Sequence, residues 1–514
     1  MKNLNRFFAV IILFVLYHNN SFSQTASVSW GKEITNEAEP GNILSPATVR
    51  MSYQVIGHEG SEIFVIATKL EIFTFKKEYF FEKYSTSTTD LLLHKKLEFV
   101  DPGLKEKTVN FINAELVNGK IIAFADISDK KLKKKWVFAQ EINRDGTFAA
   151  SSIKLDEIDY FTNPSEFLIT FSKDKSKVLC CRTGSLNLEL PSKACVFKVF
   201  DANFKELWAN TYDLKHKSQD TQIRNTLVDD AGNAHMLIRT RDSYHEKYIE
   251  YKLVSFYSDI KKFKEYTLGA PNKYLSAINT DFDKEGNIVC VGLYANVETT
   301  NYAKDDRLNG AFYIKIDRNT KEINKNEYTA LNINTIKQLD FGIKNAPIYQ
   351  FASPNIVFDK EGNITLCTDQ YYYSSSLGMS SNYNIIAVKL NTEGKIIWEK
   401  YISKAQKETL IDVHISYAYI YFNNNIYFIF NDHPSNLNQV TSQKVSVINK
   451  FDKSILVLVQ LNDKGELKKE IITKSDDKYL QPVIDKPTFQ IGSNEFMIFV
   501  EKGNKYKFGK MVLK

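Results

Sequence analysis

Five cysteines in 514 residues are too few for a disulfide framework, and the number is odd. None stands at a spacing that metal ligands adopt. Net charge is scarce as well. Lys and Arg number 67 against 61 Asp and Glu, a formal balance of +6. Two of those charges, Lys2 and Arg6, lie in the first 24 residues, which hold no acid, so residues 25–514 carry +4. So small a charge on so long a chain excludes nucleic acid as the expected partner. The one basic cluster, residues 130–135, falls between two predicted strands and reads as a solvated loop.

Long apolar runs are missing beyond the beginning of the chain. Phe7 to Tyr17 is the only such run, and it is too short to span a bilayer. With Lys2 and Arg6 before it and the polar Asn19–Gln24 after it, the stretch reads as a secretory signal peptide covering residues 1–24. Residues 25–514 are then expected to be exported to the periplasm or the cell exterior, soluble and without a membrane span.

Catalytic signatures are absent too. There is no Gly-x-Ser-x-Gly elbow, no His-Glu-x-x-His and no phosphate loop. The seven histidines after residue 24 are dispersed: His58, His94, His216, His235, His245, His414 and His433. No cofactor and no metal site is expected from these patterns.

What the chain does have is a repeated turn. Asp283-Lys-Glu-Gly-Asn287 introduces the run Ile288 to Tyr294, and Asp359-Lys-Glu-Gly-Asn363 introduces Ile364 to Cys367. Asp229-Asp-Ala-Gly-Asn233 is a looser copy before Ala234 to Ile238. Asp accepts backbone hydrogen bonds within such a turn, and Gly supplies a positive φ, so each reads as the joint of two antiparallel strands. After the turn both faces of the strand are apolar or small: Ile288, Cys290 and Gly292 on one, Val289, Val291 and Leu293 on the other. A strand like this is buried on both sides. Cys180 and Cys290 hold equivalent positions in the repeat, as do Cys181 and Cys367, which makes them small core residues. A bridge from Cys180 or Cys181 to Cys195 stays open, since their strands should be neighbours.

Aligning the first residue after each turn gives eight anchors: Ile63, Ile121, Val178, Ala234, Ile288, Ile364, Ile426 and Glu495. Their intervals are 58, 57, 56, 54, 76, 62 and 69 residues. Repeats of this length, all β by pattern, predict an all-β fold, a single β-propeller of eight four-stranded blades, with seven as the alternative. The chain ends on Lys507–Lys514, a third strand with no fourth after it. Val28–Ile34 supplies the missing strand, so the N-terminal strand is expected to complete the last blade and close the ring.

The second half of each unit also recurs, as Val196 to Trp208 and Ala387 to Trp398, with weaker copies at Phe312–Ile323 and Val457–Leu467. This half resembles the repeats of PQQ-type and related secreted bacterial β-propellers, where an Asp-x-x-x-Gly-x-x-x-Trp pattern punctuates a blade. Trp208 and Trp398 hold the Trp position, and Trp30 is expected to play the same part. The resemblance implies the fold. No cofactor-ligand pattern accompanies it, and PQQ binding is not implied.

In a propeller the second-to-third loops and the blade-to-blade links share one face. Here they are the long ones, roughly 241–248, 296–310, 369–384 and 432–454, with links such as 331–350 and 474–486. Function concentrates on loops held by a rigid scaffold. The candidate binding residues on this face are Asp369, Tyr371, Tyr372, Tyr373, Arg241, Tyr244, His245, Asp305, Asp306 and His433. Exposed tyrosines can stack on sugar rings or on a protein partner; alternatively, they are a strand end. The charged residues would otherwise be solvated loop tips. The reading is of a non-enzymatic module that binds protein, a scaffold in the cell envelope. The alternatives are a carbohydrate-binding or carbohydrate-cleaving propeller and a metal-assisted hydrolase.

Overall fold

The computed structural model describes residues 25–35, 49–71, 76–99, 108–129, 131–159, 167–184, 194–213, 222–240, 250–296, 307–339, 351–374, 378–409, 414–441, 445–474, 481–482, 489–502 and 505–514. The turn chemistry sets the local structure. In the best copy Gly286 has φ +81°, its N–H donates to the Asp283 carbonyl, and the Asn287 N–H donates to Asp283 Oδ1 at 2.9 Å. The same bonds recur at Asp359 with Asn363 and at Asp229 with Asn233. Each turn joins a first strand to a second.

All eight anchors fall on the first or second residue of a second strand. The strands group into eight four-stranded antiparallel blades arranged as a β-propeller. Blades 1 to 7 span 49–96, 108–159, 167–213, 222–268, 273–330, 355–402 and 418–474. Blade 8 is assembled from both ends of the chain. Glu495–Lys502 pairs with Lys505–Leu513, and Ala26–Trp30 adds to the far side of Lys505–Leu513. Trp30 lies flat over Gly509, where an added Cβ would stand 2.4 Å from the ring. The backbone N–H of Ala26 donates to Glu470 of blade 7, and that of Lys32 donates to Asp90 of blade 1.

The core is the set of blade-to-blade interfaces. In blade 5, Ile288, Cys290 and Tyr294 pack towards blade 4, while Val289, Val291, Leu293 and Ala295 pack towards blade 6. That matches the two-faced apolar pattern of the sequence. All five thiols are free and buried. Cys195 stands opposite Thr183 and Cys181 opposite Phe197, so the open Cys195 bridge is not formed. Burial pushes the Cys290 thiol up to about 12.

A polar belt runs round the first strands. Gln54 donates to the Ala114 carbonyl, Asn113 to that of Ile169, and the Thr170 and Thr226 hydroxyls meet at 2.6 Å. Asn225 donates to Asn279, Asn279 to the Pro354 carbonyl, and Asn355 to the Tyr417 hydroxyl. Each bond ties one blade to the next, from blade 1 to blade 7. The belt residues Gln54, Asn113, Thr170, Asn225, Asn279, Asn355 and Tyr417 stand eight or nine positions before their anchors. Bulges occur beside the belt in blades 1, 2, 4 and 5. In blade 5 the bulge places Ala277 at φ +45° and brings its carbonyl so close to Gly292 that a Cβ there would stand 2.6 Å away. This close approach is why Gly interrupts an otherwise apolar strand.

Candidate functional site

Blade 6 departs from the common plan. Its second strand, Ile364–Ser374, and its third, Met379–Leu390, run 11 and 12 residues. The outer strand Ile396–Ile402 covers only the Ile385–Leu390 part of the third. After Ser403–Ala405 the chain returns as Gln406–Thr409 beside Met379–Asn382. The result is a three-stranded extension projecting past the blade. The span 369–384, expected to be a long loop, is therefore mostly paired strand, since Ser380–Asn382 pair on one side with Tyr371–Tyr373 and on the other with Gln406–Glu408.

Tyr371, Tyr372 and Tyr373 are 37%, 44% and 54% exposed. Successive strand residues point to opposite faces, so both faces of the extension are wet and aromatic. The Tyr371 hydroxyl reaches Ser380 Oγ at 3.4 Å.

Beneath the tyrosines the side chains are polar and buried. Asp369, expected on an exposed loop, points inward. Its Oδ2 accepts from Lys404 Nζ at 2.8 Å, Asn382 Nδ2 at 2.8 Å and Ser416 Oγ at 3.1 Å. Lys404 is fully buried, and Nζ also donates to Gln406 Oε1 at 3.1 Å. Burial drives the Lys404 ammonium below its usual range, with the Asp369 carboxylate opposing that shift. Gln406 Nε2 donates to the Asn431 carbonyl at 2.7 Å, and Gln370 Nε2 to the Leu339 carbonyl at 3.1 Å. Every acceptor of the ammonium is thus internal. The Asp369–Lys404 pair links the second strand of the extension to Asn382, Gln406 and Ser416 at its base.

Blade 7 braces the same region. Its residues 433–441 and 445–454 lie along the Ser403–Lys407 segment, with the Ser403 N–H donating to the Val440 carbonyl, the Lys407 N–H to the Ile448 carbonyl and the Ile448 N–H to the Ala405 carbonyl. A second buried pair, Asp432 with Lys469 at 2.5 Å, anchors that loop through Asn436, whose Nδ2 donates to Asp432 Oδ1 at 2.8 Å. His433 caps the turn Pro434–Asn436, its Nδ1 accepting from the Ser435 N–H. His414 binds Glu408 at 2.6 Å and stacks on Phe451 with ring centroids 5.4 Å apart.

The structure thus brings Asp369, Tyr371, Tyr372, Tyr373 and His433 to one region over blades 6 and 7. Arg241, Tyr244, His245, Asp305 and Asp306 lie outside the described residues. Sequence reasoning missed Asn382, Lys404, Gln406, Ser416 and the Asp432–Lys469 pair. A usable signal existed in Thr368-Asp-Gln370, which continues a strand buried on both faces and so demands internal partners.

A groove of about 720 Å³ lies between the short helix Ile333–Leu339 and the outer strand of blade 6. Asn332, Asn334, Gln338, Glu399, Lys400 and Tyr401 are among its lining residues. Among the described residues no group of three His, Cys, Asp or Glu side chains could hold a metal ion. No described helix is long and apolar enough to cross a membrane.

Fold and site together define an eight-bladed β-propeller with one blade drawn out into a braced, tyrosine-bearing hairpin. No protein-family model matches the chain, and no curated protein matches it. Solved structures do. The Dos1 propeller aligns over 94% of each chain at 6% identity with a TM-score of 0.41. An ulvan lyase of polysaccharide lyase family 25 aligns over 94% of each chain at 9% identity and 0.39. The WD40 domain of SCAP from fission yeast aligns over 91% of this chain and 98% of its own at 8% identity and 0.37. These neighbours are β-propellers.

Proposed function

We propose that this chain is a non-enzymatic binding module that holds another protein against the blade 6 hairpin, acting as a scaffold in the cell envelope. One observation carries the reading: three consecutive tyrosines are exposed on both faces of a hairpin whose base is locked by buried hydrogen bonds. Rigid tyrosines give a large contact area at little cost in ordering, which is why they dominate protein interfaces. Export rests on the charged, apolar and polar order of residues 1–24. N-terminal sequencing of the protein from its native cells, reading from Thr25, would support it. On Trp208 and Trp398 we also group the repeat with PQQ-type and related secreted propellers, without their cofactor.

The test places a photoreactive phenylalanine analogue at Tyr372 and, as control, at Leu132, an exposed residue of blade 2. Crosslinking in native cells should give one protein adduct at position 372 and none at position 132. No adduct, or the same adducts at both positions, would sink the reading. The groove favours a second reading, carbohydrate binding, because exposed amides beside Tyr401 suit a neutral sugar. Polysaccharide that co-purifies with the protein and is lost from a variant with the groove amides Asn332, Asn334 and Gln338 changed to Ala would move the assignment there.

A further inference from the structure

The strand that closes the ring begins at a carboxylate. Glu470 stands on the outer strand of blade 7, Leu467–Lys474, with its side chain 16% exposed. Its Oε2 accepts from the Thr25 N–H at 3.2 Å and its Oε1 from the Ala26 N–H at 3.1 Å. Two consecutive backbone donors thus share one carboxylate. The other polar groups of Thr25 are engaged as well. Lys468 Nζ donates to its hydroxyl at 3.1 Å, and the Lys514 N–H donates to its carbonyl at 2.9 Å. Every polar group of Thr25 is therefore tied to blade 7 or blade 8.

Thr25 is also the first residue after the leader read from the sequence, residues 1–24. Hydrolysis of the Gln24–Thr25 peptide bond consumes one water, leaves a carboxylate on Gln24 and frees Thr25 as a primary amine. Such an amine ordinarily has a pKa of about 8 and takes up a proton at neutral pH. The nitrogen that offers Glu470 one amide hydrogen in the uncut chain then carries a full positive charge, 3.2 Å from the carboxylate. Charge-assisted hydrogen bonds of this kind are stronger than those of a neutral donor. Lys468, which also pairs with Glu470, stands at 3.7 Å and has the Thr25 hydroxyl as a second acceptor, so the new charge need not displace it.

We propose that an endopeptidase cuts between Gln24 and Thr25 and that the new Thr25 ammonium pairs with Glu470, fastening the closing strand to blade 7. The cut is then a maturation step. It gives the ring a contact that the uncut chain cannot make, because a peptide nitrogen carries no charge. The strand Ala26–Trp30, which completes blade 8, is held more firmly in the processed protein than in its precursor. This inference rests on the export reading of residues 1–24 and assigns the cut a structural consequence.

The experiment compares two chains at pH 7. One spans residues 25–514 and is released from a cleavable fusion so that Thr25 is its first residue. The other spans residues 19–514, in which Thr25 keeps its peptide bond. Each is made with and without Glu470→Gln, and hydrogen exchange is followed at the amides of residues 27–30, which report local opening of the closing strand. These amides should exchange about fivefold more slowly in the chain that begins at Thr25, the effect of an ion pair in partial contact with water. The difference should vanish in the Glu470→Gln pair. Equal exchange in the two unsubstituted chains, or a difference that survives Glu470→Gln, would overturn the pairing and leave the cut itself standing. A first residue other than Thr25 in the protein sequenced from its native cells would overturn both.

Discussion

His235 stands between Tyr257 and Phe282, its ring edge-on to both, with Nδ1 against Ser255 Oγ at 2.8 Å. Burial holds its pKa down at about 4 against an ordinary 6.5, with the Asp229 carboxylate pulling weakly the other way. Between those values the unfolded chain binds a proton that the folded chain refuses. Stability is therefore fully present above pH 6.5 and drains away as the pH falls towards 4, by about 3 kcal/mol in total from this residue. Urea titrations across that range should show the native chain losing about that much more than a His235→Gln variant. Equal losses in the two proteins would mean that His235 is not held neutral by its surroundings.

At the scale of the element, the hairpin of blade 6 depends on charges that no water reaches. Asp369→Asn leaves the Lys404 ammonium buried without its counter-charge, and such a loss costs about 3–5 kcal/mol. Adding Lys404→Met to the same variant should restore most of it, because two neutral side chains suit a dry site. A Cm for Asp369→Asn within error of the native value would show the pair to be idle. The sequence signalled that Asp369 needs an internal partner, but not that the partner is Lys404. Lys404 and Asp369 are 35 positions apart, and only the return of the chain at Gln406 brings them together. The run Tyr371 to Asn382 reads as a polar loop because its Ser and Asn residues mask the strand. Their burial comes from Gln406–Thr409, an element too short to announce itself. The second strands were legible, because burial on both faces leaves a continuous apolar run beside an Asp-x-x-Gly-Asn turn. The belt was not: a lone Gln54 or Asn279 in a first strand looks solvated until the neighbouring blade's carbonyl is in place.

At the scale of the molecule, the ring is held shut by one short strand. Removing residues 25–35 exposes the Lys505–Leu513 edge along the pairs from Ala26–Leu513 to Trp30–Gly509 and again at Ile34–Tyr506. The melting temperature should fall, and the truncated protein should associate with rising concentration as the bare edge seeks partners. An unchanged melting temperature would show that the ring holds without its N-terminal strand. The same pairing orders events in time. The strand Ala26–Trp30 leaves the ribosome before any blade exists, and its place opens only when Leu513 has been made. Every other blade joins strands that are near neighbours along the chain, whereas this one must close a loop of almost the whole polypeptide, the most entropically demanding contact in the molecule. The first strand of the ring in chain order is the last whose partner is made.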